Sequence, residues 1–169
     1  MRPLRLLLAP LTAALALTAT VSCATAEPRT GPGNVVTLSA EPRTPDAPLL
    51  ATRWTVDSLV GRETASPLPA GVEGKAWFTL AADGTASGGL GCNRFTAKAV
   101  VQGPLLTFGP LATTRIACEG PAGEVERELT GLFGGGPLTV EIKGDALTLT
   151  ATADGEIKGV TARAASAVE

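Results

Sequence analysis

From Trp54 onward, apolar residues recur mostly at every second position, the period of a strand that buries one face. Ala76, Phe78 and Leu80 alternate with Trp77, Thr79 and Ala81, while Leu138, Val140 and Ile142 alternate with Thr139, Glu141 and Lys143. Further strands are predicted from Trp54, over Thr85–Cys92, Ala97–Val101 and Leu105–Phe108, and over Ala146–Thr152 and Glu156–Ala162. Asp83-Gly84, Gly103-Pro104, Gly144-Asp145 and Asp154-Gly155 supply turns between them. One stretch breaks the rhythm. In PAGEVERELTGLF, Pro121 to Phe133, the apolar residues Val125, Leu129, Leu132 and Phe133 fall at i, i+4, i+7 and i+8, one face of a helix. Pro121 suits its first turn, and Gly134 to Gly136 ends it. Gly131 inside the pattern costs about 1 kcal/mol of helix propensity relative to alanine. The pattern predicts an α+β fold over residues 52–165: a mostly antiparallel, curved β-sheet (partial barrel) of short strands packed against one amphipathic helix.

The N-terminal third has a different grammar. Arg2 and Arg5 precede an uncharged run, Leu6 to Ala26, that closes on the small residues of Cys23-Ala24-Thr25-Ala26. This predicts an export leader over residues 1–23 with Cys23 as a lipidated residue. Two alternatives stand beside it: cleavage after Ala26, giving a secreted chain, or a retained apolar anchor. Thr20 stands where lipoprotein leaders usually carry an aliphatic residue, and Pro10 disfavours an anchor. Residues 24–51 are rich in Pro, Thr, Ala and Glu, and all six aromatic residues lie at or after Trp54. That composition predicts a disordered tether with a reach of roughly 30 Å. The expected location is the outer face of the cytoplasmic membrane, reached through a lipid anchor.

Charge and composition remove several function classes. The chain carries 14 basic and 16 acidic side chains, a net charge of −2, which becomes −4 without Arg2 and Arg5. Such a surface lacks the basic face that nucleic-acid binding needs, so no nucleic-acid partner is expected. With no histidine anywhere, the commonest general base and neutral metal ligand are missing. No Ser–His or Cys–His pair can form, and no nucleophile-elbow motif occurs. Gly88, Gly89 and Gly91 lack the following helix and lysine of a phosphate loop, and read instead as a bulge or a close packing contact. Glu124, Glu126 and Glu128 read as the polar side of the helix. No enzyme, cofactor or metal is expected.

The series Trp54, SGGLGCNRF (Ser87–Phe95), LLTFGPLATTRIAC (Leu105–Cys118), Glu124 with Leu129, and DALTLTATADGEI (Asp145–Ile157) resembles the META domain, the HslJ-like family of bacterial envelope proteins. The GCN-x-F and T-R-x-A-C elements are its specific part, and the resemblance covers about Thr52 to Val160. It implies a small β-rich domain with a single helix, exported and often lipid-anchored, with no established catalytic residues. Ile116 stands where the family often has Met, and tyrosine is absent.

Cys92 and Cys118 are the only cysteines in the folded region, and an oxidising compartment pairs such thiols. A structural disulfide is expected, stabilising by about 3.5 kcal/mol in the chain-entropy model. The alternatives are a redox-active pair, for which C-x-x-C spacing is lacking, and two buried reduced thiols. Asn93, Arg94 and Arg115 flank the cysteines and are the candidate binding residues; the competing reading has Asn93 satisfying backbone groups in a turn and the arginines as surface charges. Trp77 and Phe78 place one aromatic on each sheet face, the outward one marking a binding surface or lying under the helix. The expected function is a monomeric envelope binding or interaction module, with an envelope protein or small molecule as its ligand. A stress-related structural or chaperone-like role is the alternative.

Overall fold

The computed structural model describes residues 45–61, 64–153 and 155–165. The expected leader, Cys23 and the stretch 24–44 of the expected tether lie outside the described residues. The strands are β1 (Arg53–Gly61), β2 (Thr64–Pro67), β3 (Ala76–Leu80), β4 (Thr85–Leu90), β5 (Arg94–Gln102), β6 (Leu105–Phe108) and β7 (Ala112–Thr113). The helix α1 (Gly120–Gly134) follows, then β8 (Pro137–Lys143), β9 (Ala146–Ala153) and β10 (Glu156–Ala164). Alternation and turn residues place most of these correctly. The exceptions are the flaps β2 and β7, which sequence reading misses, and Cys92, which lies beyond the end of β4 rather than inside it. The helix runs one residue further at each end than its apolar face predicts.

β1 pairs with β3 on one edge (Trp54↔Phe78) and with β10 on the other (Trp54↔Ala164). The order β1-β3-β4-β5-β6-β8-β9-β10 therefore returns to β1, a closed antiparallel ring with β2 and β7 as flaps on β1 and β5. The α+β class holds, and the expected partial barrel is corrected to a complete one. A register irregularity between Val56 and Ser58 lets β1 bend while pairing with β10 along most of its length. Closure removes the open edges that a curved sheet would expose.

The alternating apolar residues point inward, and Trp54, Phe78, Leu80, Leu106, Leu138, Leu149 and Val160 are buried. All four phenylalanines of the chain meet there. The Phe133 ring stacks on Phe108 at 4.7 Å between centroids and lies 5.6 and 5.8 Å from Phe95 and Phe78. Gly88 makes the crowding possible: a Cβ there would lie 2.7 Å from Phe95 Cε1 and collide with the Trp77 carbonyl. Trp77, on the outer face, lies beneath the Arg53 guanidinium, 3.9 Å from its ring centroid.

Register also defines the two mouths. At one, where β1 ends and β10 begins, α1 bridges β6 to β8 and inserts Val125, Leu129 and Phe133 into the core. At the other, the Ala47 and Ala51 N–H groups donate to the Gly144 and Leu80 carbonyls, at 2.7 and 2.8 Å. The Trp54 indole N–H donates to the Leu49 carbonyl at 3.1 Å. Residues 45–51, assigned by composition to the tether, are thus part of the domain, because Ala47 and Leu49 pack against its core.

Candidate functional site

The GCN-x-F element builds a lock between the barrel rim and the helix. Gly91 turns the chain at φ +100°, and a Cβ there would lie 3.1 Å from Val72 and 3.3 Å from Val125. Cys92 and Cys118 form a disulfide with Cα atoms 6.3 Å apart, within the ordinary span of such bridges. It fastens the turn after β4 to the segment entering α1. Gly123 lets the helix start close over that segment, since a Cβ there would sit 2.5 Å from the Cys118 carbonyl.

Asn93, 3% exposed, is the one buried polar residue among those described. Its amide NH₂ donates to the Ile116 carbonyl (2.9 Å) and to both Glu126 carboxylate oxygens (3.0 Å each). Its carbonyl accepts from the Thr114 hydroxyl (2.7 Å) and the Ile116 N–H (2.8 Å). Its own backbone N–H donates to Glu126 Oε2 at 3.0 Å. Two donors and two acceptor positions exhaust an asparagine side chain. Asn93 is therefore occupied within the protein, as the competing sequence reading has it. Arg94 and Arg115 are exposed, and none of the three candidate binding residues lines either cleft described below.

Glu126 corrects a second expectation. Its spacing assigns it to the polar helix face, yet it is half-buried and bonded to Asn93, with Oε2 3.3 Å from the Cys118 sulfur. Cys92, Cys118 and Glu126 bring their ligand atoms within 4.8 Å of one another. Both sulfurs are bonded to each other, however, and offer no thiolate to a metal.

The larger cleft lies elsewhere on the same mouth. A groove of about 560 Å³ separates α1 from the rim formed by β1, β2, β9 and β10. Register explains it. Leu59, level with Val160, and Gly61, Ala151 and Lys158, one step beyond it, share the inward face with Leu149 and Val160 at the rim of the buried core. The helix supplies Arg127, Glu128, Gly131, Leu132 and Gly135, and the small residues on both walls leave the space unfilled. Leu59, Leu132 and Ala151 are half-buried, while Arg127 and Lys158 are exposed. Among the described residues, neither cation is in an ion pair, although Glu128 lines the same groove. Two signals for this site exist in the sequence: Lys158 falls in phase with the inward Val160, and Gly131 interrupts a helix. Neither is informative until the ring is known to close beside α1. At the opposite mouth a smaller cleft of about 150 Å³ lies between Leu50, Leu80 and Val101.

Similarity to known proteins agrees with this architecture. An NMR structure of a protein from Burkholderia xenovorans superposes with a TM-score of 0.55 at 25% identity, covering 70% of this chain and 85% of that one. A second NMR structure matches in fold with a TM-score of 0.50 at 21% identity, over 66% of this chain and 87% of that one. No curated protein matches the chain. The META domain model matches residues 47–164, which begin at the first residues docked on the barrel and end with its last strand, and the chain belongs to the META domain family.

Proposed function

We propose that the protein is a non-catalytic binding module of the cell envelope, held at the outer face of the cytoplasmic membrane by a lipid on Cys23, and that it takes its ligand in the helix-covered mouth of the barrel. The observation that carries this reading is the groove beside α1. Its volume lies in the usual range for ligand sites, roughly 300–1,000 Å³, and its walls combine apolar side chains with a few charged ones. Being non-catalytic accords with a chain that has no histidine and a groove lined by one carboxylate, Glu128. The lock at Cys92 and Asn93 fits the same role, because it fixes α1, one wall of the groove, to the rim.

Native mass spectrometry tests the reading. Protein recovered from its own envelope is expected to carry a non-covalent adduct of small-molecule mass that Gly131→Trp, which fills the groove, removes. The same intact-mass spectrum is expected to start at a diacylglyceryl-modified Cys23. A bare protein, or an adduct unaffected by Gly131→Trp in a variant with unchanged circular dichroism, rejects the groove as the site.

A further inference from the structure

Gly131 stands in the middle of a helix, where glycine is about 1 kcal/mol worse than alanine. Other glycines in this fold have a steric reason: Gly88 and Gly123 face other backbone at distances no Cβ tolerates. Gly131 has none. A Cβ there meets nothing within 4 Å, and the position lines the groove. Gly61 across the cleft is equally unobstructed. The fold thus forgoes side chains it could accommodate on both walls of one space.

Charge narrows what the space accepts. Lys158 belongs to the inward-facing set of β10, two residues before the fully buried Val160, and Arg127 approaches from the helix. With Glu128 the lining carries a net charge of +1, and neither cation has an ion-pair partner among the described residues. Leu59, Leu132 and Ala151 offer no hydrogen-bonding side chain, so the part of a ligand resting on them is apolar. An anionic head is best satisfied by the guanidinium and ammonium groups, since Arg pairs in a fork with carboxylate or phosphate. The C-terminal end of α1, near Gly135, carries the negative end of the helix dipole and directs the head away from itself.

From the spare glycines, the two cations without an ion-pair partner among the described residues and the apolar floor, we propose that the groove binds an amphipathic anion: a carboxylate or phosphate head held by Arg127 and Lys158, with an acyl-sized apolar tail over Leu59, Leu132 and Ala151. This rests on the reading of the mouth as the binding site and names its ligand class.

The test titrates the ¹⁵N-labelled protein with octanoate, octyl phosphate, octan-1-ol and octylamine, each below its aggregation threshold. The amide signals of Gly61, Gly131, Gly135 and Gly159 report the groove. Octanoate or octyl phosphate is expected to shift them saturably, the stronger of the two identifying the head group. Octanol and octylamine are expected to bind at least tenfold more weakly. Arg127→Gln with Lys158→Gln is expected to weaken the anion tenfold or more, and Gly131→Trp to abolish its binding. The spectrum itself reports folding; should Gly131→Trp unfold, the surface pair of charge variants decides. Octylamine or octanol binding as tightly as the anions overturns the ligand class and leaves the site standing. No response to any probe overturns the inference, while the envelope adduct tests the site independently of ligand class.

Discussion

Glu126 serves two neighbours with one carboxylate. It receives three hydrogen bonds from Asn93, and it stands 3.3 Å from the Cys118 sulfur. A disulfide is opened by an attacking thiolate, and it leaves a thiolate behind. Both steps place negative charge beside Glu126. Repulsion between unit charges about 4 Å apart is about 1 kcal/mol even at the dielectric of water, and more at a half-buried site. Glu126→Gln is therefore expected to speed reduction by dithiothreitol about fivefold or more. It is expected to speed reduction by a neutral trialkylphosphine less, because that reagent brings no charge in its attack although it too leaves a thiolate behind. Equal acceleration with both reagents would mean that the substitution merely loosens the Asn93 clamp. None of this is legible in the sequence. The spacing of Glu124, Glu126 and Glu128 describes three solvated carboxylates, and only the 33-residue jump between Asn93 and Glu126 in space reveals the difference. The pairing of Cys92 with Cys118 was legible from count alone once the folded region was delimited, because it holds just these two cysteines.

The strands and the helix repay their sequence patterns unequally. Period-two alternation identifies β8 and β9 because their inner apolar positions face the core while Thr139, Glu141, Thr148 and Thr150 face out, and β3 because Ala76, Phe78 and Leu80 are all buried. The flap β2, exposed at all four residues, has no such contrast and leaves no signal. The glycines of the two element types separate by experiment. Gly131→Ala is expected to raise stability by roughly 0.5–1 kcal/mol, because the helix gains propensity and the new methyl meets open space. Gly88→Ala is expected to cost about 1–3 kcal/mol, because its methyl meets the Trp77 carbonyl and the Phe95 ring, forcing β3 and β4 apart. Urea unfolding of the two variants beside the parent measures both. A destabilising Gly131→Ala would show that the helix tolerates no side chain there, and would remove the argument from spare space.

At the scale of the molecule, the ring itself was the part sequence could not supply. Alternation announces that strands exist and curve over something, but closure depends on which edges meet, and here the first strand of the domain meets the last. The helix and residues 45–51 then cover opposite mouths, and the groove exists only because α1 leaves part of its mouth unfilled. A chain ending before Glu156 loses the strand that joins β1 to β9. It is expected to show no cooperative unfolding transition and a poorly dispersed NMR spectrum, whereas a sharp transition would mean that an open sheet suffices. The pairing of Trp54 with Ala164 also sets a clock. Contacts so distant along the chain form late, after the entropy of closing a long loop has been overcome. Any apparatus that makes or moves this chain from its N-terminus handles a polymer that cannot lock until Ala164 has been delivered. Delivery comes before closure, and the arrival of β10 is the event that completes the ring.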